Sequence, residues 1–109
     1  MLDKRKFYIN GKWVSPSKPN DLEVINPSTE EAFATISLGY KEDTNAAVSA
    51  AKKALVTWSQ SSKEERVNLL EKLLDIYKKR YSEMVEAISM EMGAPMDWSR
   101  DSQTSSGQS

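Results

Sequence analysis

The sequence predicts strands first and helices after: an N-terminal β-hairpin and strand region followed by two to three α-helices. Three observations carry that reading. Asn10-Gly11 separates two short β-forming runs. Near residue 42 the apolar period changes from about two to about 3.6. Ser62-Lys63-Glu64-Glu65 then matches the S-x-x-E pattern that opens a helix.

In order along the chain, Phe7-Tyr8-Ile9 and Lys12-Trp13-Val14 are the hairpin strands. Asn10-Gly11 suits a type I′ turn, which needs positive φ at both central residues. Ser15 to Asp21, with two prolines, is a loop. Leu22 to Ile25 forms a strand closed by Asn26-Pro27-Ser28-Thr29, because proline cannot continue a central strand. Ala32 to Leu38 alternates with a period of about two and ends at Gly39. Strands and turns thus occupy 7–38 and helices 42–92.

Ala47, Val48, Ala51, Ala54, Leu55 and Trp58 make one apolar helix face, mostly of small residues, expected to pack against something large. Ser59 to Ser62 interrupts it. From Val67 to Met92 a second stripe runs through Leu70, Leu73, Leu74, Tyr77, Tyr81, Met84, Val85 and Ile88. Its length and a fresh start at Arg80-Tyr81-Ser82-Glu83 predict two helices joined by a kink. Gly93 suits the left-handed position after a helix, and Pro95 blocks resumption. Residues 99–109 are polar and rich in Ser and Gln, reading either as a disordered tail or as a helix cut short.

Composition narrows the chemistry. With 109 residues, 15 Lys+Arg and 16 Asp+Glu, the chain is one domain at most and of mixed sign, which argues against a nucleic-acid surface or an anionic-membrane binder. There is no Cys and no His, which removes disulfides, thiol nucleophiles, imidazole metal sites and Ser-His or Cys-His pairs from this chain. The absence of a long apolar run or an apolar leader predicts a soluble, cytoplasmic protein with no membrane partner.

Carboxylates are plentiful, but Glu30-Glu31, Glu64-Glu65 and the Glu71/Asp75 pair read as turn, first-turn and solvated-face acids. Four glycines, Gly11, Gly39, Gly93 and Gly107, form no phosphate-cradling loop. Met84 and Met92 are expected in the core stripe, with Met90 and Met96 meeting a loop or partner. The scattered Trp13, Trp58 and Trp98 are expected to pack rather than to stack on a ligand. No catalytic and no cofactor-binding residue is identified.

Phe7 to Val14 and Val24-Ile25-Asn26-Pro27-Ser28-Thr29-Glu30 resemble the opening strands of the NAD(P)-dependent aldehyde dehydrogenases. The resemblance continues through Glu42-Asp43, Ala47-Val48, Ala50-Ala51, Ala54, Trp58, Glu65-Arg66, Leu70, Leu73-Leu74 and Glu91-Met92-Gly93-Ala94-Pro95, covering residues 7–98. It implies an α/β fold with a Rossmann-type cofactor domain, of which this chain is the N-terminal part. It further implies oxidation of a small-molecule aldehyde to a carboxylic acid, with NAD or NADP as hydride acceptor, by an enzyme that is usually a homo-oligomer. A cysteine thiolate attacks the aldehyde in that family, and a glutamate-activated water releases the acid. Resembling only the first quarter or so, and lacking Cys, the chain reads as a fragment that binds no cofactor and does not catalyse alone.

Two positions carry further implications of the resemblance. Some family members hold a monovalent cation through the backbone carbonyl before the Asn-Pro turn and an acid before the helix exit, here Ile25 and Glu91. Hard oxygen ligands suit such an ion, while a plain reading of Glu91 is a last-turn acid that the helix dipole slightly disfavours. The family's helix-capping Ser, Thr or Asn is replaced by Tyr40, so Asp43 is expected to take over the cap and move the helix start. The alternative to the enzyme reading is a non-enzymatic helical interaction module that self-associates or binds a partner through its amphipathic faces.

Overall fold

A computed structural model describes residues 1–107, which divide into two compact units. The first comprises Met1–Ile25 and Ala32–Ser61; the second comprises Asn26–Glu31 and the described residues from Ser62 onward.

In the first unit, β1 (Leu2–Lys4), β2 (Phe7–Ile9), β3 (Lys12–Val14), β4 (Asp21–Asn26) and β5 (Glu31–Ser37) precede α1 (Lys41–Trp58). Strands β2 and β3 form the hairpin, antiparallel in the register Phe7–Val14, Tyr8–Trp13 and Ile9–Lys12. The turn adopts the positive φ values anticipated for it, 54° at Asn10 and 74° at Gly11. Opposed across the ladder, Tyr8 and Trp13 bring their rings to 5.2 Å at 59°, a cross-strand aromatic contact on an exposed face.

The other sheet has the order β1-β5-β4, with β1 parallel to β5. Strand β1 has no apolar alternation to announce it, because all three of its residues are exposed. It exists because β5 offers an edge, and Leu2, Asp3 and Lys4 pair with Ala34, Thr35 and Ile36. Arg5 reinforces that arrangement. Its guanidinium grips both Asp3 carboxylate oxygens at 2.9 Å and reaches Asp21 at 3.2 Å, linking the strands on either side of β5. The Arg5 hydrogen bond holds the Asp3 carboxyl down at about 2. Ala34 in β5 is buried, and Ser37 is buried with its hydroxyl donating to the Leu38 and Asn20 carbonyls.

Helix α1 starts at Lys41 with Tyr40 still at the N-cap, so the expected shift of the start does not occur. The expected role of Asp43 does. One carboxylate oxygen accepts the Tyr40 N–H at 2.9 Å and the Ser17 hydroxyl at 3.0 Å, while the other accepts the Ser17 N–H at 2.8 Å. Asp43 thereby satisfies the helix entry from its third position and pins the Ser15–Asn20 loop to it. Lys18 stands over the Tyr40 ring at 5.6 Å.

In the second unit, α2 (Lys63–Lys79), α3 (Tyr81–Met92) and the short α4 (Met96–Trp98) lead into a π-helical segment, Ser99–Thr104. The Ser62 hydroxyl accepts the Glu65 N–H at 3.1 Å. Among the described residues Glu65 makes no return bond, so only half of the anticipated box forms. The stripe breaks between two helices as expected, at Arg80, with φ −101° and ψ 14°. No side chain caps the new start; instead Arg80 pairs with Glu83 at 2.7 Å. The polar segment after Pro95 is helical as far as Ser106, while Gln108 and Ser109 of the expected tail lie outside the described residues. Tyr77 and Tyr81, edge to face, donate to the Thr104 and Arg100 carbonyls and hold the π-helical segment, where Thr104 is fully buried.

The apolar faces of α1 and α2 stay largely uncovered, while Trp13, Trp58, Met84 and Met92 depart from the packing expected of them. Neither α1 nor α2 contains a buried residue, and among the described residues the buried apolar ones are Ala34 and Val85. Trp58 is 42% exposed and Trp13 68%, and Met84 and Met92 are exposed rather than in a core. Met90 is half-buried instead. The reason is geometric: a period states which residues share a face, not what lies opposite it.

The carboxyl of Asp43 is held below its usual range, chiefly by the Tyr40 N–H and then by Ser17. A carboxyl lowered on folding contributes stability above its unfolded value, and that contribution is lost as pH falls through the folded value. Replacing Asp43 with Ala is expected to lower the helicity of α1 at neutral pH, with the gap to the parent closing in acid; circular dichroism across a pH series checks this.

Candidate functional site

The residues singled out as a candidate cation site occupy ordinary elements. Ile25 is the penultimate residue of β4, and Glu91 stands in the last turn of α3, its side chain exposed. They fall in different units, Ile25 in the first and Glu91 in the second. Among the described residues no group of three or more Asp or Glu converges to hold a metal ion.

Within the second unit the structure builds a tight junction around the helix exit that Glu91 precedes. Gly93 ends α3 in the left-handed conformation, φ 70° and ψ 16°, as its position predicted. Its N–H donates to the Ser89 carbonyl at 2.9 Å, and the Ser89 hydroxyl turns to the Ala94 carbonyl at 2.7 Å. Facing it is the Asn26–Glu31 turn. The Asn26 side-chain oxygen accepts the Ser28 N–H at 2.9 Å, and its backbone carbonyl accepts from Thr29 and Glu30 at 3.3 and 2.8 Å. Glu30 takes φ 61° to close the turn.

Two independent demands therefore fall on Gly93. A side chain would oppose its positive φ, and a Cβ there would stand 2.9 Å from the Pro27 ring and 3.0 Å from the Ser28 hydroxyl. The Asn-Pro-Ser wording and the Met-Gly exit lie far apart in sequence, yet they form one packed junction. Sequence reasoning identified each as a turn or stop but not that they meet.

Gly11 sits at a hairpin tip, a Cβ on Gly39 would stand 3.6 Å from the Phe7 ring and Gly93 is packed under Pro27. None opens a glycine-rich loop at a helix start. Of the acids read as structural, Glu64 and Glu65 stand in the first turn of α2, and Glu71 and Asp75 are exposed on that helix.

The arrangement has clear counterparts. An aldehyde dehydrogenase from Bartonella henselae superposes with a TM-score of 0.98 at 57% identity, over 99% of this chain and 23% of that one. Aldehyde dehydrogenase C from Pseudomonas syringae, a variant solved with NAD+ and octanal, gives a TM-score of 0.90 at 38% identity, over 93% of this chain and 21% of that one. A 3-succinoylsemialdehyde-pyridine dehydrogenase from Pseudomonas is 45% identical over 96 residues, 88% of this chain and 20% of its own. What they share with this chain is the opening of an α/β dehydrogenase fold. The sequence model of the aldehyde dehydrogenase family matches residues 13–108, and the chain belongs to that family as an N-terminal segment of it. It spans about a fifth of the length of the curated relatives it matches. The reading as a free-standing helical interaction module is not favoured, since these relatives match hairpin, turn and helices together. Among the described residues no helix is long and apolar enough to cross a membrane.

Gly93→Ala is expected to destabilise the helix exit by about 1–2 kcal/mol from the left-handed backbone alone, with the Pro27 contact adding to it. Amide exchange in the last turn of α3 should quicken by about tenfold.

Proposed function

We propose that this chain is the N-terminal part of the cofactor-binding domain of a cytoplasmic, homo-oligomeric enzyme that oxidises an aldehyde to a carboxylic acid with NAD or NADP as hydride acceptor. The observation that carries the reading is the superposition at a TM-score of 0.98 and 57% identity on an aldehyde dehydrogenase. NAD+ complexes among the similar structures support the nicotinamide assignment, and the octanal complex supports an aldehyde substrate.

The role of residues 1–109 in that enzyme is structural. The chain has no Cys to attack an aldehyde and no loop to hold a dinucleotide, so it is inactive by itself and binds neither cofactor. Its contribution is to present the apolar faces of α1, α2 and α3 to the remainder of the domain. The same reading assigns a monovalent cation to the Ile25 carbonyl and the Glu91 carboxylate, with further oxygen ligands from elsewhere in the protein. The rigid turn after Ile25 and the fixed exit after Glu91 support that assignment, because each holds a ligand-bearing residue next to a constrained backbone.

The test is the full-length gene product assayed for nicotinamide reduction with a straight-chain aldehyde and with a semialdehyde. Aldehyde-dependent reduction of NAD+ or NADP+ is expected from the full-length protein and none from residues 1–109. Failure of the full-length protein with both cofactors and both aldehydes would overturn the reading. In the same assay, exchanging Na+ or K+ for a bulky organic cation is expected to reduce stability or rate in the parent and to leave Glu91→Gln unchanged.

A further inference from the structure

We infer that Asn10 is a site of spontaneous covalent modification in the folded chain, through closure of its side-chain amide onto the Gly11 backbone nitrogen. The Gly11 nitrogen loses its proton and forms a bond to Asn10 Cγ. The Cγ–N bond of the amide then breaks and ammonia leaves, giving a succinimide. Water opens the ring at either carbonyl, yielding an aspartyl residue or an isoaspartyl residue; the sum is asparagine plus water giving acid plus ammonia, with no redox change.

The structure leaves this path open at Asn10. Both residues form the exposed tip of the β2–β3 hairpin. Nothing outside the adjoining residues lies within 4 Å of where a Gly11 Cβ would stand, so the turn is open on that side. Among the described residues neither the Asn10 side chain nor the Gly11 N–H is engaged in a hydrogen bond. The other asparagines are guarded. Asn26 is followed by Pro27, which has no N–H to give up, and its side-chain oxygen is held by Ser28. Asn45 and Asn68 lie within α1 and α2, where the next amide belongs to the helical ladder. Asn20 precedes Asp21, whose side chain crowds the nitrogen and whose charge opposes its deprotonation.

The two products differ in consequence. Asp-Gly supports a type I′ turn as Asn-Gly does, so the aspartyl form keeps the hairpin. The isoaspartyl form runs the backbone through Cβ, adding a methylene to a two-residue turn. That turn sets the Ile9–Lys12 register and, through it, the Tyr8–Trp13 contact. The isoaspartyl hairpin therefore loses its pairing.

The experiment ages the folded full-length protein in mildly alkaline buffer and maps Asn10, Asn20, Asn45 and Asn68 by peptide mass spectrometry with fragmentation that separates isoaspartate from aspartate. Amide exchange at Tyr8 and Trp13 is followed in parallel with an Asn10→Asp variant. Conversion at Asn10 is expected severalfold faster than at Asn20, Asn45 or Asn68, with hairpin protection lost in the aged chain and kept in the variant. Conversion at Asn10 no faster than at the other three, or confined to chain unfolded in urea, would overturn the proposal. Isoaspartyl chain protected as well as the Asn10→Asp variant would overturn its structural consequence.

Discussion

Everything in this chain is arranged around apolar helix faces that the chain does not itself cover. Leu55, Leu70 and Leu73 are each about three-fifths exposed, and α1 and α2 bury no residue at all. Helices of 18 and 17 residues are marginal in water without a packed face. What fixes them instead is local: Asp43 under Tyr40 for α1, the Ser62 hydroxyl for α2 and the left-handed Gly93 closing α3. These devices set where helices begin and end, and they contribute far less than a core would. Helix placement is therefore decided within the chain, whereas most of the energy that stabilises helices elsewhere comes from burial outside it.

The same division explains why the likeness to aldehyde dehydrogenases extends to turns as well as helices. The Asn26–Glu31 turn is rigid because Asn26 takes three backbone donors, and it seats Pro27 against Gly93. A hairpin, a turn and a helix exit that keep their own geometry deliver the apolar faces in fixed relation to their immediate neighbours.

Much of this was legible because it rests on neighbours in sequence. The Asn10-Gly11 turn, the Ser62 cap, the break at Arg80 and the stop at Gly93 all follow from residues within a few positions of the event. What was not legible depends on partners distant in sequence. Strand β1 is three exposed residues whose reason is the free edge of β5. The junction of Pro27 with Gly93 joins two turns that each read as ordinary. Tyr77 and Tyr81 read as members of an apolar stripe, and their hydroxyls instead hold carbonyls of the π-helical segment. Period alone could not tell that Met84 and Met92 are exposed while Met90 is half-buried. Of the candidate cation site, the sequence offered only the two residues, through a family resemblance; it offered no cluster of acids, and none is found among the described residues.

The most direct measurement of the central claim is a thermal melt of the isolated chain, read together with hydrophobic-dye binding and sedimentation. If the apolar faces of α1 and α2 are uncovered, the chain binds the dye, self-associates and melts without a sharp transition. A monomer that excludes the dye and melts in one cooperative step would contradict the account, because it would mean that these faces find their cover within the chain's own residues.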